Sequence, residues 1–399
     1  MDMTAPLPIS EQMAGYMARS SWIRKMFEEG TRLKAEHGAE NVFDFSIGNP
    51  NLEPPKEFKL CLSNLLTEET PGAHGYMPNP GYPSTRAAIA ATVSKQQAVE
   101  VGAEHIVMTV GAGGALNVVL RALLNPGDEV LVSNPCFVEY GFYTDNHGGT
   151  VKMVPAAADF NLDLSSLEAA INPKTRVVLV NSPNNPTGVI YPSETLEALG
   201  AMLARKEEEL GTRIFLVSDE PYRDIVYDDT VVPPVLSTYD DSLVVTSYSK
   251  NLSLAGERIG YIAANPAIKG IEQVMGACVL AVRILGFVNA PALMQRAVER
   301  LQGVSVDLSL YKRNRDVLLA ALREAGLEVP EPAGAFYLFP RCPIDDDVAF
   351  AKEMAEELVL VVPGSGFFGP GHIRLAYCVA PETVDGAIPH IQEVVARYA

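Results

Sequence analysis

From about residue 105 the chain alternates short apolar runs rich in β-branched residues with longer segments of helical spacing. His105–Val110, Glu129–Ser133, Val151–Val154, Arg176–Asn181, Arg213–Ser218 and Ser242–Thr246 are expected as strands, with helices at Gly114–Leu124 and Leu196–Leu210. Apolar runs of this length, joined by helical crossovers, predict a mostly parallel sheet sandwiched by helices. Toward the end the pattern changes. Gly334–Phe339 and His372–Tyr377 predict strands around a helix at Val348–Leu358, and Pro381–Tyr398 predicts a closing helix with its proline where a missing N–H costs least. Such runs suit a smaller α+β unit. One amphipathic helix, about Ser21–Gly38, is expected to pack on that tail. The expected division is an N-terminal segment at 1–50, a large domain at 51–295 and a small C-terminal domain at 296–399. The most apolar long stretch, Val274 to Leu293, is interrupted by Arg283, Asn289 and Pro291, which predicts a core or subunit-interface helix rather than a membrane span.

A hydrophobic fraction of 48% with 20% charged residues over 399 positions excludes disorder and allows a large core. The formal charge of −18 argues against nucleic acid and anionic membrane surfaces as partners and favours small-molecule chemistry. No basic stretch followed by an apolar one opens the chain, so no secretory leader is expected. Five cysteines without a C-x-x-C pair predict reduced thiols in a cytoplasmic protein, and offer no metal-site spacing.

Four segments then carry candidate chemistry, each following a predicted strand. Val110-Gly111-Ala112-Gly113-Gly114 opens a helix, so its free N–H groups form an anion site; it lacks the spacing of a dinucleotide or P-loop fingerprint. Ser182-Pro183-Asn184-Asn185-Pro186-Thr187-Gly188 is a rigid turn able to hold an asparagine amide in one orientation. Asp219, in Ser218-Asp219-Glu220-Pro221-Tyr222, is either a local cap or the partner of a buried cation. Ser247-Tyr248-Ser249-Lys250, with Arg258 eight residues on, offers an amine able to form a Schiff base and donors suited to a phosphate dianion. Alone, each is most simply a turn. Together they converge on the strand ends where ligands gather in α/β sheets, and pyridoxal phosphate needs both the amine and the anion site.

In this combination, and from Ser46-Ile47-Gly48-Asn49-Pro50 to Ile373-Arg374-Leu375-Ala376-Tyr377, the chain resembles the class I/II aminotransferases of the aspartate aminotransferase superfamily. The resemblance implies fold type I, with a seven-stranded sheet in the large domain, and pyridoxal 5′-phosphate as cofactor. It implies that Lys250 carries the cofactor covalently and then shuttles the substrate proton, and that Asp219 pairs with the pyridinium nitrogen. Asn185 and Tyr222 would bond the ring's phenolic oxygen, and Phe137 would stack on the ring. Ala112, Gly113, Ser247, Ser249 and Arg258 would hold the phosphate, together with Tyr76 of a neighbouring subunit, so that a homodimer shares its sites. Arg374 would grip the substrate α-carboxylate through two parallel hydrogen bonds, beside Gly48 and Asn185. Two positions depart from the family pattern: Gly113 stands where a hydroxyl residue is common, and Phe137 where a larger indole or phenol is common.

The reaction implied is amino-group exchange between an L-amino acid and a 2-oxo acid such as 2-oxoglutarate, by a ping-pong mechanism. Two other readings compete. A carbon–sulfur β-lyase could use the same pocket, whereas a cofactor-sensing regulator would need a DNA-binding module that the acidic N-terminus does not resemble. For a dicarboxylic substrate a second arginine is expected, with Arg283 preferred over Arg19 and Arg24; a pocket for neutral or aromatic side chains is the open alternative.

Overall fold

A computed structural model describes residues 8–18 and 22–398. Its centre is a seven-stranded sheet in the order Ile106–Thr109, Gly260–Ala264, Ser242–Ser247, Phe215–Asp219, Thr175–Asn181, Glu129–Asn134 and Thr150–Pro155. All six strands read from the sequence are present. The seventh, Gly260–Ala264, was not anticipated as a strand, and it runs antiparallel to both of its neighbours. Its reversal has a use. Gly260 pairs with Ser247 on one side and Thr109 on the other, so the residues just before it reach the same sheet edge at which the parallel strands end.

The sheet is buried on both faces, as its near-continuous apolar strands require. One face packs Val130, Val177, Phe215 and Leu243 against the helices Gly111–Leu123 and Ile271–Ile284. The other packs Leu131, Val178 and Leu216 against Leu164–Ala170 and Ser193–Leu210. The apolar stretch at 274–293 is broken into two helices, Ile271–Ile284 and Ala292–Arg300. Gly286, at φ 86°, and Pro291 lie in the break.

The C-terminal unit has a three-stranded antiparallel sheet of Val362–Pro363, Ile373–Ala376 and Tyr337–Leu338, packed on the helices Ser309–Glu324, Asp347–Glu356 and Pro381–Ala396. Near the N-terminus, Phe43–Asp44 pairs in parallel with Val359–Leu360, and the helix Trp22–His37 places Leu33 against Leu360. A second N-terminal helix, Glu11–Ala18, had no clear sequence signal. Its Tyr16 stacks edge-on against Phe142 and bonds Asp145 of the large sheet's unit. The two units share one core, since Tyr222, Ile225 and Tyr227 pack with Phe336, Tyr337 and Tyr377.

Candidate active site

The sheet topology brings the four sequence segments to one edge. Asn181 and Asp219 are Cα partners at the ends of adjacent strands, and Asp219 also pairs with Val245 of the strand that leads to Ser247. Gly48, Ala112, Gly113, Phe137, Asn185, Asp219, Tyr222, Ser247, Ser249, Lys250, Arg258 and Arg374 all line a single cavity of about 290 Å³. Tyr76 is not among the lining residues; it is 91% exposed on this chain. Arg283 is exposed in the last turn of its helix and does not line the cavity. Arg19 lies outside the described residues, as does the side chain of Arg24.

One end of the cavity is built for an anion. The helix Gly111–Leu123 begins there, so its first backbone N–H groups have no intrahelical acceptor. Gly111 starts the turn at φ 78°, and a Cβ on it would lie 2.8 Å from Nη2 of Arg258. A side chain is thus excluded twice, by conformation and by the guanidinium. Ser247 Oγ donates to Ser249 Oγ at 3.0 Å, and both hydroxyls face the same space.

Lys250 occupies the middle. Its Nζ donates to the Gly48 carbonyl at 2.9 Å and lies 5.4 Å from the Phe336 ring centre and 5.8 Å from that of Tyr222. Burial lowers its pKa to about 8, with the nearby Arg374 and Arg258 charges acting in the same direction. An amine so placed is neutral for a useful fraction of the time near physiological pH.

Asp219 also lines the cavity and is buried. Tyr140 donates its phenolic proton to Oδ2 at 2.7 Å, and Asn181 donates to the Asp219 backbone carbonyl at 2.7 Å. The other carboxylate oxygen, Oδ1, is buried without a partner. Burial therefore pushes the carboxyl up to about 7, Glu220 adding to the effect while the Tyr140 hydrogen bond opposes it. This carboxylate lacks one donor, and a cationic N–H is the donor that would satisfy it best.

Arg374 provides a second charge without a counter-ion. It is 2% exposed, and among the described residues no acid pairs with it. Nη1 donates to Asn185 Oδ1 at 3.1 Å, Nη2 to the Ser46 carbonyl at 2.6 Å, and Nε has no partner. The guanidinium lies over the rings of Phe367 at 4.5 Å and Tyr337 at 4.7 Å. Desolvation holds its pKa below the ordinary value. A buried guanidinium met only by neutral acceptors leaves its charge uncompensated, which suits it to an anion.

Three tyrosines that the sequence motifs did not single out complete the walls. Tyr140 and Tyr143 come from the short helix Glu139–Asp145, and Tyr337 exchanges a 2.7 Å hydrogen bond with the Tyr222 hydroxyl. Gly48 is required here, because any side chain on it would enter the Tyr337 phenol. No periodic signal could have found these three tyrosines, because the helix and the strand that carry them are seven and two residues long.

Residues 40–391 match the family model for aminotransferase class I and II. The chain belongs to this family. It is 33% identical over 372 residues to the aspartate/prephenate aminotransferase of Thermus thermophilus, an alignment covering 92% of this chain and 94% of that one. Among solved structures it is similar to an amino transferase from Eubacterium rectale, with a TM-score of 0.95, 39% identity and coverage of 98% of this chain and 100% of that one. The aspartate aminotransferase of Thermus thermophilus with maleate gives a TM-score of 0.85 at 28% identity, again covering 98% and 100% of the two chains. The molecule is accordingly a pyridoxal-phosphate-dependent aminotransferase of fold type I, and its substrates are amino acids and keto acids. The site fits that cofactor on its own evidence. The anion end suits a phosphate, the unpartnered Asp219 Oδ1 suits a protonated ring nitrogen, and the Lys250 amine lines the same cavity.

Proposed function

We propose that this aminotransferase exchanges an amino group between an L-amino acid and 2-oxoglutarate by a ping-pong mechanism, with Lys250 as covalent anchor and proton carrier. The observation that carries the reading is one cavity in which a depressed amine, an under-bonded carboxylate and an unpaired buried guanidinium face one another. When bound, pyridoxal phosphate supplies the electron sink that lets a proton leave the substrate Cα. Arg374, lying over the Phe367 and Tyr337 rings and anchored by Asn185 and Ser46, would bind the substrate α-carboxylate. Burial keeps part of the Lys250 amine unprotonated near neutral pH, so its Nζ would be free to accept that proton and to give it back. Asp219 would meet the ring nitrogen through its unpartnered Oδ1, and Tyr222 and Asn185 would donate to the ring oxygen. Phe137 covers the ring face, while Ala112, Gly113, Ser247, Ser249 and Arg258 hold the phosphate.

The names of the relatives support a dicarboxylic acceptor, and the family resemblance supports a homodimer in which Tyr76 reaches across to the partner subunit's phosphate. Free thiols at all five cysteines support a cytoplasmic setting, and among the described residues no helix is long and apolar enough to cross a membrane. Initial-rate measurements with aspartate or an aromatic amino acid against varied 2-oxoglutarate test the scheme. Parallel double-reciprocal lines are expected, and intersecting lines would exclude a ping-pong order.

A further inference from the structure

Tyr143 lines the cavity but has no part in the reaction as described so far. It lies on the helix Glu139–Asp145, one turn past Tyr140, and is half-buried. Tyr140 turns to Asp219, whereas the Tyr143 hydroxyl turns to the anion loop: a Cβ built on Gly113 would stand 3.0 Å from its oxygen. That separation is tighter than ordinary van der Waals contact, so the phenol occupies the space that a side chain at 113 would need.

Among the described residues the Tyr143 hydroxyl has no hydrogen-bond partner, although it lies close enough to Arg258 to feel its charge. Burial pushes the phenol up to about 12, so it stays protonated and keeps a donor to give. The amide of Asn117 is already engaged, its Nδ2 donating to the Gly113 carbonyl at 2.9 Å. An uncommitted O–H beside a helix N-terminus and an arginine has one natural acceptor, the anion those two groups are arranged to bind.

We propose that Tyr143 is a cofactor-binding residue, donating its hydroxyl to the phosphate group from the side of the loop on which Gly113 carries no side chain. Gly113 and Tyr143 then act as a pair: the glycine makes room, and the phenol supplies from a different element the hydroxyl that position 113 lacks. The proposal rests on the assignment of the Ala112–Gly113 loop as the phosphate site.

The test is an equilibrium titration of cofactor-free protein, followed by tyrosine fluorescence and absorption, with pyridoxal phosphate and with pyridoxal, which has no phosphate. Tyr143→Phe keeps the ring and removes only the hydroxyl; it should weaken pyridoxal phosphate about tenfold, as expected for one hydrogen bond to a charged group, and leave pyridoxal unchanged. The ³¹P resonance of the bound cofactor should move in the same variant. Adding Gly113→Ser to Tyr143→Phe should recover most of the lost affinity, because the new hydroxyl enters the space the phenolic oxygen has left. Wild-type affinity in Tyr143→Phe, or equal losses for pyridoxal phosphate and pyridoxal, would overturn the proposal. Failure of the unmodified protein to bind pyridoxal phosphate would instead overturn the underlying reading, and that arm is read without any variant.

Discussion

Tyr140 and Asp219 share one buried hydrogen bond, 2.7 Å from the phenol to Oδ2, and the other oxygen of the same carboxylate is left without a donor. The sheet register makes this arrangement possible. Asp219 ends its strand beside Asn181, whose amide takes up the Asp219 backbone carbonyl and leaves the side chain free to face the cavity. The aspartate is therefore poised to receive a cation.

The raised pKa of Asp219 makes a signed prediction. The carboxyl binds a proton in the folded protein up to about pH 7 but in the unfolded chain only up to its ordinary value of 3.8. Its contribution to the stability of the cofactor-free protein is thus present at low pH and lost as pH rises through that window. Asp219→Asn removes the charge while keeping the shape, so at pH 8 it should raise the Tm of the cofactor-free protein by a few degrees and lower kcat/KM by about a hundredfold or more. Calorimetry and steady-state assays check the two halves, and a fall in Tm would contradict the assigned burial cost.

Tyr140→Phe probes the same carboxylate from the other side. The phenol's hydrogen bond opposes the upward shift, so its loss should move the Asp219 midpoint to still higher pH. Pyridoxal phosphate affinity, which falls as the carboxylate is protonated, should then begin to fall about one unit sooner on acidification. Affinity measured between pH 5 and 9 gives the midpoint directly.

Lys250 offers a second pH dependence with the opposite requirement. Only the neutral amine can attack the cofactor, so the rate of reconstitution should rise with pH around a midpoint near 8, the value to which burial lowers it. Lys250→Ala should still bind the cofactor but lose about 10²-fold to 10⁴-fold or more in turnover. Retained turnover in that variant would remove the lysine from the reaction.

Arg374→Lys keeps the charge but gives up the planar fork. It should raise KM for amino acid and oxo acid together by about ten- to a hundredfold, with a smaller effect on cofactor affinity. An unchanged KM would mean that the carboxylate binds elsewhere. Substitution of the exposed Arg283 with Ala tests dicarboxylate recognition separately. A role for it in binding the second carboxylate predicts that its loss lowers kcat/KM for dicarboxylic substrates alone, and an equal loss for alanine would exclude that role.

Most of the sheet was legible because period and composition agree along it. Six of its strands are apolar runs rich in β-branched residues, five of them buried and Thr150–Pro155 at the edge, and the expected ends differ from those found by two residues or fewer. Gly260–Ala264 escaped because it follows closely on Arg258 within a segment read for its charge, and one of its two antiparallel partners, Ile106–Thr109, is distant in sequence. The segments that line the cavity were legible for a related reason, since each has turn chemistry directly after a strand. Tyr140, Tyr143 and Tyr337 were not. They lie on a seven-residue helix and a two-residue strand, elements too short to show a period, and their roles arise from contacts with Asp219, Gly113 and Tyr222 across the fold.

The most direct measurement is an absorption spectrum of the purified protein carrying pyridoxal phosphate, taken as single amino acids are added without any oxo acid and then again after 2-oxoglutarate. The yellow band should bleach to the pyridoxamine phosphate form with the amino acids the enzyme accepts, and return when the oxo acid takes the amino group back. A band that does not respond to any amino acid, or that bleaches with release of ammonia and does not recover with 2-oxoglutarate, would contradict amino-group transfer at Lys250.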